Sequence, residues 1–443
     1  MRERLRLSAL LFTLATIYIQ LPAVTVDAGT VRVGDKFLVN MQTSENQQHP
    51  QVVALATGGF VVIWSGPGGE NPFRPPAFGR TFDAFGAPVG PEFVLPDVFG
   101  ERSIVAKDMS FVVSWLGPEI AQISLDGIVE SSLQLEGGSL GAPALALSPL
   151  GEAIVVRDPS AIIAQRVDSD LQPIGSQFSI TRGGDGNQYP HAPAVAAFDD
   201  SSFVVVWWAE ASSALWGQVV DSADTSVGEP FPVVPPPELS DLSDSPAVCV
   251  FANGEFIVAW NDDDHATEFR IYYSDNEPPS GRLCSSLGSG LALSCLPGSQ
   301  FLILGRSRDD IVGRLVNRTS LPIADFRIPV ATVRDPHLFA IPTAAPLGDD
   351  TFVVVWSECV EGTENECNVF GQRFRITEAP RCPGDCNDDG NVSVDEIVRG
   401  ISMALVGDAN AAEICPQLDS DLDCQVAVHE LVQAVGSALS GCN

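Results

Sequence analysis

The twelve residues DCNDDGNVSVDE, 385 to 396, carry oxygen donors at intervals that suit a hard cation. Asp385, Asn387 and Asp389 supply side-chain oxygens at positions one, three and five, and Asn391 offers its carbonyl at seven. Ser393 can hold a water at nine, Glu396 closes the set with both oxygens at twelve, and Gly390 makes the sharp turn at six. A donor set made of oxygens alone selects calcium over metals that prefer softer ligands.

A second set follows 34 residues later in DSDLDCQVAVHE, 419 to 430. Asp419, Asp421 and Asp423 recur at one, three and five, Gln425 offers the carbonyl at seven, and Glu430 recurs at twelve. Two positions depart from the pattern. Cys424 stands at the turn position, where a side chain is unfavourable in the left-handed conformation, and Ala427 brings no ligand at nine. This loop is expected to bind calcium more weakly than the first, or to be held by a disulfide. Each loop runs into an apolar segment of helical period, VDEIVRGISMAL and VHELVQAVGSAL.

Two loop-then-helix units without entering helices resemble a dockerin domain, an EF-hand pair, over residues 382 to 442. The resemblance implies a calcium-folded module that docks onto a cohesin-type partner, often in assemblies that handle polysaccharides. Val394 and Asp395 stand where the Ser/Thr pair that commonly contacts cohesin is found.

Ten cysteines accompany these loops and the region before them. Cys359 and Cys367 bracket one loop and Cys284 and Cys295 another, so a local bridge is expected in each. Cys382, Cys386, Cys415 and Cys442 surround the calcium loops, with three pairings open. Cys249 and Cys424 are left over, either joined to each other or free. Cysteines in this number suit an oxidising compartment, and the N-terminus reads as an export signal. MRERLR supplies positive charge, LSALLFTLATIYI a short apolar run, and Val26-Asp27-Ala28 small residues for cleavage. Gln20 and Pro22 leave the run short of the ~20 residues a spanning helix needs, so no membrane span is expected after cleavage. A secreted or cell-surface protein follows.

The formal charge of −33, from 57 acids against 24 bases, repels nucleic-acid backbones and anionic lipid. Nucleic acid is therefore excluded as a partner, and cations are favoured.

Upstream of the calcium loops one apolar pattern recurs seven times: GGFVVIW, MSFVVSW, EAIVVRD, SSFVVVW, GEFIVAW, SQFLILG and DTFVVVW. Its leading residues are Phe60, Phe111, Ile154, Phe203, Phe256, Phe301 and Phe352, at spacings of 43 to 53, and Trp stands four residues on in five copies. Asp158 and Gly305 replace it in copies three and six. Short strands repeating at this interval predict a propeller. The fourth copy shows four strands, at 193 to 198, 202 to 208, 215 to 221 and 229 to 234. The seventh copy lacks an outer strand, whereas DKFLVN, 35 to 40, resembles one without a copy of its own. An N-terminal strand completing the last blade would close the ring and protect the sheet edges. The pattern resembles secreted bacterial repeats of the form PxVAALxDGGFVVVW…GQRFDAxGxPVGxEFxVN over residues 35 to 376.

The expected architecture is thus all-β: a signal peptide at 1–28, a seven-bladed β-propeller of four-stranded blades at 29–378, and a small α-helical dockerin-like calcium-binding domain at 379–443. The long loops, between second and third strands and between blades, share one face, and recognition is expected there. His49, His191, His265, His337, Glu210, Asp262, Asp263, Asp264 and Glu358 fall on that face. They could bind a metal or move protons only if they converge; solvation of loops already accounts for them. Ser139 in GGSLG lies between blades, not in the strand-to-helix turn that a nucleophile elbow requires, and Trp208 and Trp216 could stack on sugar rings only if exposed. The function expected is a non-catalytic binding propeller, with carbohydrate or protein ligand, attached through its C-terminal module. The alternative is a polysaccharide-degrading hydrolase or lyase acting on the long-loop face.

Overall fold

The recurring apolar runs are the second strands of seven four-stranded antiparallel sheets. The computed structural model describes residues 29–443 apart from 69–74, 101, 116–118, 137–142, 158–160, 182–189, 235–244, 263–266, 273–279, 284–286, 288, 308–309, 318–321, 331–341, 349, 360–365, 378–381, 387–390, 407–414, 416, 419–425 and 442–443. Blade 1 runs outward from Gln48–Ala54 through Phe60–Ser65 and Pro76–Phe82 to Phe93–Phe99. Blade 4 repeats it with Pro190–Ala197, Phe203–Ala209, Ala214–Val220 and Ser226–Val234, matching the strands expected from sequence.

A blade is sandwiched between its neighbours, so its second strand is buried on both faces and reads as unbroken Phe, Val and Trp in place of alternation. Seven apolar cores result, each shared by two adjacent blades. The core holding Val52, Phe60 and Val62 of blade 1 with Val353 and Val355 of blade 7 closes the circle.

Closure also has a covalent logic. Blade 7 takes Thr343–Pro346, Thr351–Cys359 and Cys367–Thr377 from the end of the array and its outer strand, Gly29–Leu38, from the beginning. That strand starts six residues before the expected Asp35, pairing Gly29 with Thr377 and Leu38 with Phe370. Its Phe37 lies over Gly371, where an added Cβ would fall 2.4 Å from the ring. Blades 1, 4 and 6 use the same device, with Phe93 over Gly79, Phe231 over Gly217 and Phe326 over Gly313. Glycine on the third strand therefore exists to admit the outer-strand phenylalanine.

The turns opposite the long loops are short and locally fixed. The Oδ1 atoms of Asp83, Asp168 and Asp221 each accept two backbone N–H groups across the third-to-fourth-strand turn. Blade-to-blade ties start from the third strands. Thr81 donates to Leu125 O, Arg166 to Asp224 Oδ1 and Ser201 O, and Arg373 to Phe85 O across the closure.

Two expectations need correction. Leu147 pairs with Ala153 and Ala153 with Val167, so copy three is shifted by one: Ala153, not Ile154, takes the phenylalanine place, and Arg157, not Asp158, takes that of Trp. Trp208 is buried in the core between blades 4 and 5 and Trp216 packs between blades 3 and 4, as the core reading of aromatics in strands expects. Cys295 bonds to Cys249, joining the innermost strands of blades 5 and 6, so the local Cys284–Cys295 bridge does not form and Cys249 is not left over. Innermost strands of adjacent blades face each other, and that apposition outweighs nearness in sequence. The Cys359–Cys367 bridge is as expected. In copy six, Leu287 fills the space beside Gly305 that five of the other blades give to Trp.

Beyond the sheets lie helix α1, Val394–Val406, and helix α2, Val428–Ser440. None of the helices among the described residues is long and apolar enough to cross a membrane.

Candidate functional site

The first calcium-type loop begins at Asp385 and ends inside α1. Residues Asn387, Asp389 and Gly390 lie outside the described residues, as do Asp419, Asp421, Asp423 and Gln425 of the second loop. Among those described, Asp385 and Glu396 are each only 4% exposed, while Asn391 and Ser393 face solvent. Glu396 reaches back from the first turn of α1. Its Oε1 accepts the N–H of Cys386 at 2.8 Å and its Oε2 that of Ser393 at 2.7 Å. One carboxylate thus draws positions two, nine and twelve of the loop together, beside the backbone of Asp385.

The N–H of Glu396 in turn approaches Ser393 Oγ at 3.3 Å, completing a reciprocal cap. The second unit repeats half of this. Glu430, 1% exposed, accepts the N–H of Ala427 at 2.8 Å through Oε2, and Ala427 has no oxygen to return the bond. Among the described residues no three carboxylate, imidazole or thiol groups gather as a metal centre.

An oxygen-only donor set with a carboxylate at each end is of the kind that fits calcium, and Asp385 and Glu396 sit buried at the two ends of the loop. Asp385, Asn387, Asp389, Asn391, Ser393 and Glu396 would hold the ion, which when bound supplies charge neutralisation and a rigid loop. Near this loop Cys386 is bonded to Cys415, one of the three pairings left open by the sequence. Cys382 is disulfide-bonded as well, while Cys284, Cys424 and Cys442 lie outside the described residues.

The two helices pack through small residues at equivalent places. A Cβ on Gly400 would meet Leu418 and Leu431 at 2.8 Å, and Ala434, 34 residues on, is fully buried. The opposite faces are bare and apolar. Val394, Val398, Ile401 and Leu405 are exposed on α1, and Val428, Val432, Val435 and Leu439 on α2, with Leu405 and Leu439 more than 80% exposed. The stripes coincide residue for residue at the 34-residue offset.

On the long-loop face no three of the expected side chains gather among the described residues. Glu210 is exposed in a short helical turn, Glu358 pairs with Lys36 at 2.8 Å, and His191 starts the innermost strand of blade 4. Asp263, Asp264, His265, His337 and Ser139 lie outside the described residues. His49 has a left-handed φ of 54° and a pKa lowered by desolvation and then by Arg102.

Arg102 is a residue that sequence reading missed. It occupies the place held by Pro50 in blade 1 and Pro193 in blade 4. Its guanidinium, 5% exposed, donates to Ser65 Oγ, Gly100 O and His49 O, tying blade 1 to blade 2. Burial pushes its pKa down to about 10. Arg157, only 1% exposed in the Trp position of blade 3, donates to Glu136 O and Gln177 Oε1. Both could have been found as cations at places where the repeat carries Pro or Trp.

No family model matches the chain, and no curated protein matches it in sequence. Solved structures do match in shape. Raptor from Chaetomium thermophilum aligns with a TM-score of 0.52 and 10% identity over 77% of this chain and 30% of that one. Virginiamycin B lyase from Staphylococcus aureus aligns with a TM-score of 0.50 and 10% identity over 77% of this chain and 99% of that one. At such identities the likeness concerns architecture, and with the seven closed sheets it makes the chain a β-propeller protein.

Proposed function

We propose that this chain is an exported attachment protein, in which a non-catalytic propeller binds a carbohydrate or protein ligand and a dockerin-like, calcium-folded helix pair joins it to an extracellular partner of cohesin type or another kind. The observation that carries this reading is the duplicated apolar stripe. Apolar side chains left in water at the same places of two helices cost solvation without aiding the module's core, which suits a docking surface. The disulfides support an oxidising compartment. Buried Asp385 and Glu396 support the calcium assignment, and the end of the sheet array at Thr377 supports a division of the chain near residue 378.

Calorimetric titration of the full chain with calcium tests the reading, with one stronger and one weaker site expected. Heat indistinguishable from dilution would remove the calcium-folded module. A polysaccharide panel assayed for new reducing or unsaturated ends separates the competing hydrolase or lyase reading, since an attachment protein releases none.

A further inference from the structure

The short-turn face of the propeller is divided. Phe85, Val89, Met109, Ile128 and Leu150, in turns of blades 1 to 3 or just beyond them, are each more than 60% exposed. Among the described residues the corresponding turns of blades 4 and 5 present Asp199, Asp200, Ser222 and Asn253, with Val227, 55% exposed, just beyond one of them. Apolar tips concentrated, among the described residues, in one sector of one face mark a contact surface. We propose that the helix pair of the same chain folds back onto this sector, covering its own apolar stripes in an autoinhibitory contact.

Chain continuity selects this occupant. The last strand of the array ends at Thr377 on the short-turn face, because it enters from the long loop at 360–366 and runs antiparallel to Gly29–Leu38. Four residues before that end, Arg373 donates to Phe85 O at 2.9 Å, so the turn bearing the most exposed of the five side chains touches the strand that leads to the helices. The adjoining turn, with Ile128, is tied to blade 1 by the bond from Thr81 to Leu125 O.

From Thr377 to Cys382 the chain spans at most about 17 Å when fully extended. The first residue of the helical module is therefore held beside the apolar sector. A short tether of this kind gives an effective concentration on the order of millimolar, enough for a weak apolar contact to form within one chain. The contact hides the surface used for attachment in the reading above, and it rests on that reading only for its inhibitory consequence.

The test places the photo-crosslinker p-benzoylphenylalanine at position 85 of the full chain, in calcium, under conditions where sedimentation shows a monomer. The expected product is an intrachain adduct to residues of α1 or α2. In a chain that also carries Leu405→Glu and Leu439→Glu, its yield should fall about tenfold or more, as expected for charges forced into an apolar contact. All three positions are exposed, so folding is unaffected by these changes. Adducts found only between chains would overturn the proposal in favour of a second copy. Yields no higher than from a crosslinker at Glu45, or unchanged by the leucine substitutions, would overturn it outright. Calcium titration of the same samples reports separately on the attachment reading, so either idea can fail alone.

Discussion

Both oxygens of Glu396 hold backbone N–H groups of the loop they close, so its shape serves the fold, and in the proposed calcium site its charge would serve the cation. Glu396→Gln keeps the shape and removes the charge, and calcium affinity at the stronger site should fall by roughly 100-fold. Glu430→Gln should cost less, because Ala427 and Cys424 already weaken its loop; calorimetry on the two variants checks the order. His49 gives a pH expectation. Its folded pKa is depressed, so the unfolded chain binds the proton more readily, and stability is lost as pH falls from about 6.5 toward the folded pKa. In His49→Asn, which tolerates the left-handed backbone, thermal midpoints between pH 7 and pH 5 should vary less than in the parent. These residues were visible in the sequence to different degrees. The proposed calcium ligands stand out as a pattern because each position has one chemical duty. Arg102 and Arg157 do not, since an arginine in a strand reads as solvated until the neighbouring blade is placed over it.

Among the elements, the N-terminal strand depends on one close approach. Gly371→Val would set a side chain where Phe37 lies and expel the ring, loosening the strand that completes blade 7. A loss of about 1–3 kcal/mol is expected from overpacking, read by chemical denaturation, with faster hydrogen exchange along 29–38. Gly217→Val should act within blade 4 alone and leave exchange at 29–38 unchanged. The second strands and the closing strand were legible because burial on both faces enforces unbroken apolar runs and because DKF repeats the outer-strand pattern. The one-residue shift in blade 3 was not. Ile154 looks like the better core residue, yet the turn bond from Ser148 N to Glu152 O fixes the register one place earlier.

For the whole molecule, the bond between Cys249 and Cys295 crosses a blade interface and closes a loop of 46 residues. Replacing both by Ala should cost about 2–4 kcal/mol by freeing the unfolded chain, and the loss should appear in a single cooperative transition if the blades melt together. Two transitions would show that blades 5 and 6 part before the rest. This pairing could not be read from spacing, because it depends on which faces of successive innermost strands meet. The ring itself could be read, since a repeat with one strand missing at its end and one spare at its start has few other solutions.

Closure by the first strand also sets a timetable. Gln372 donates to Gly34 O across 338 residues of chain, so the earliest part of the propeller to emerge during synthesis waits for nearly the last. Until then blade 7 lacks an edge, and blade 1 lacks the neighbour that buries Val52 and Phe60. Such distant pairing slows folding and leaves an unfinished chain exposed to aggregation. A nascent chain halted anywhere before Thr377 therefore carries an open array, and its ring can close only once that residue has emerged.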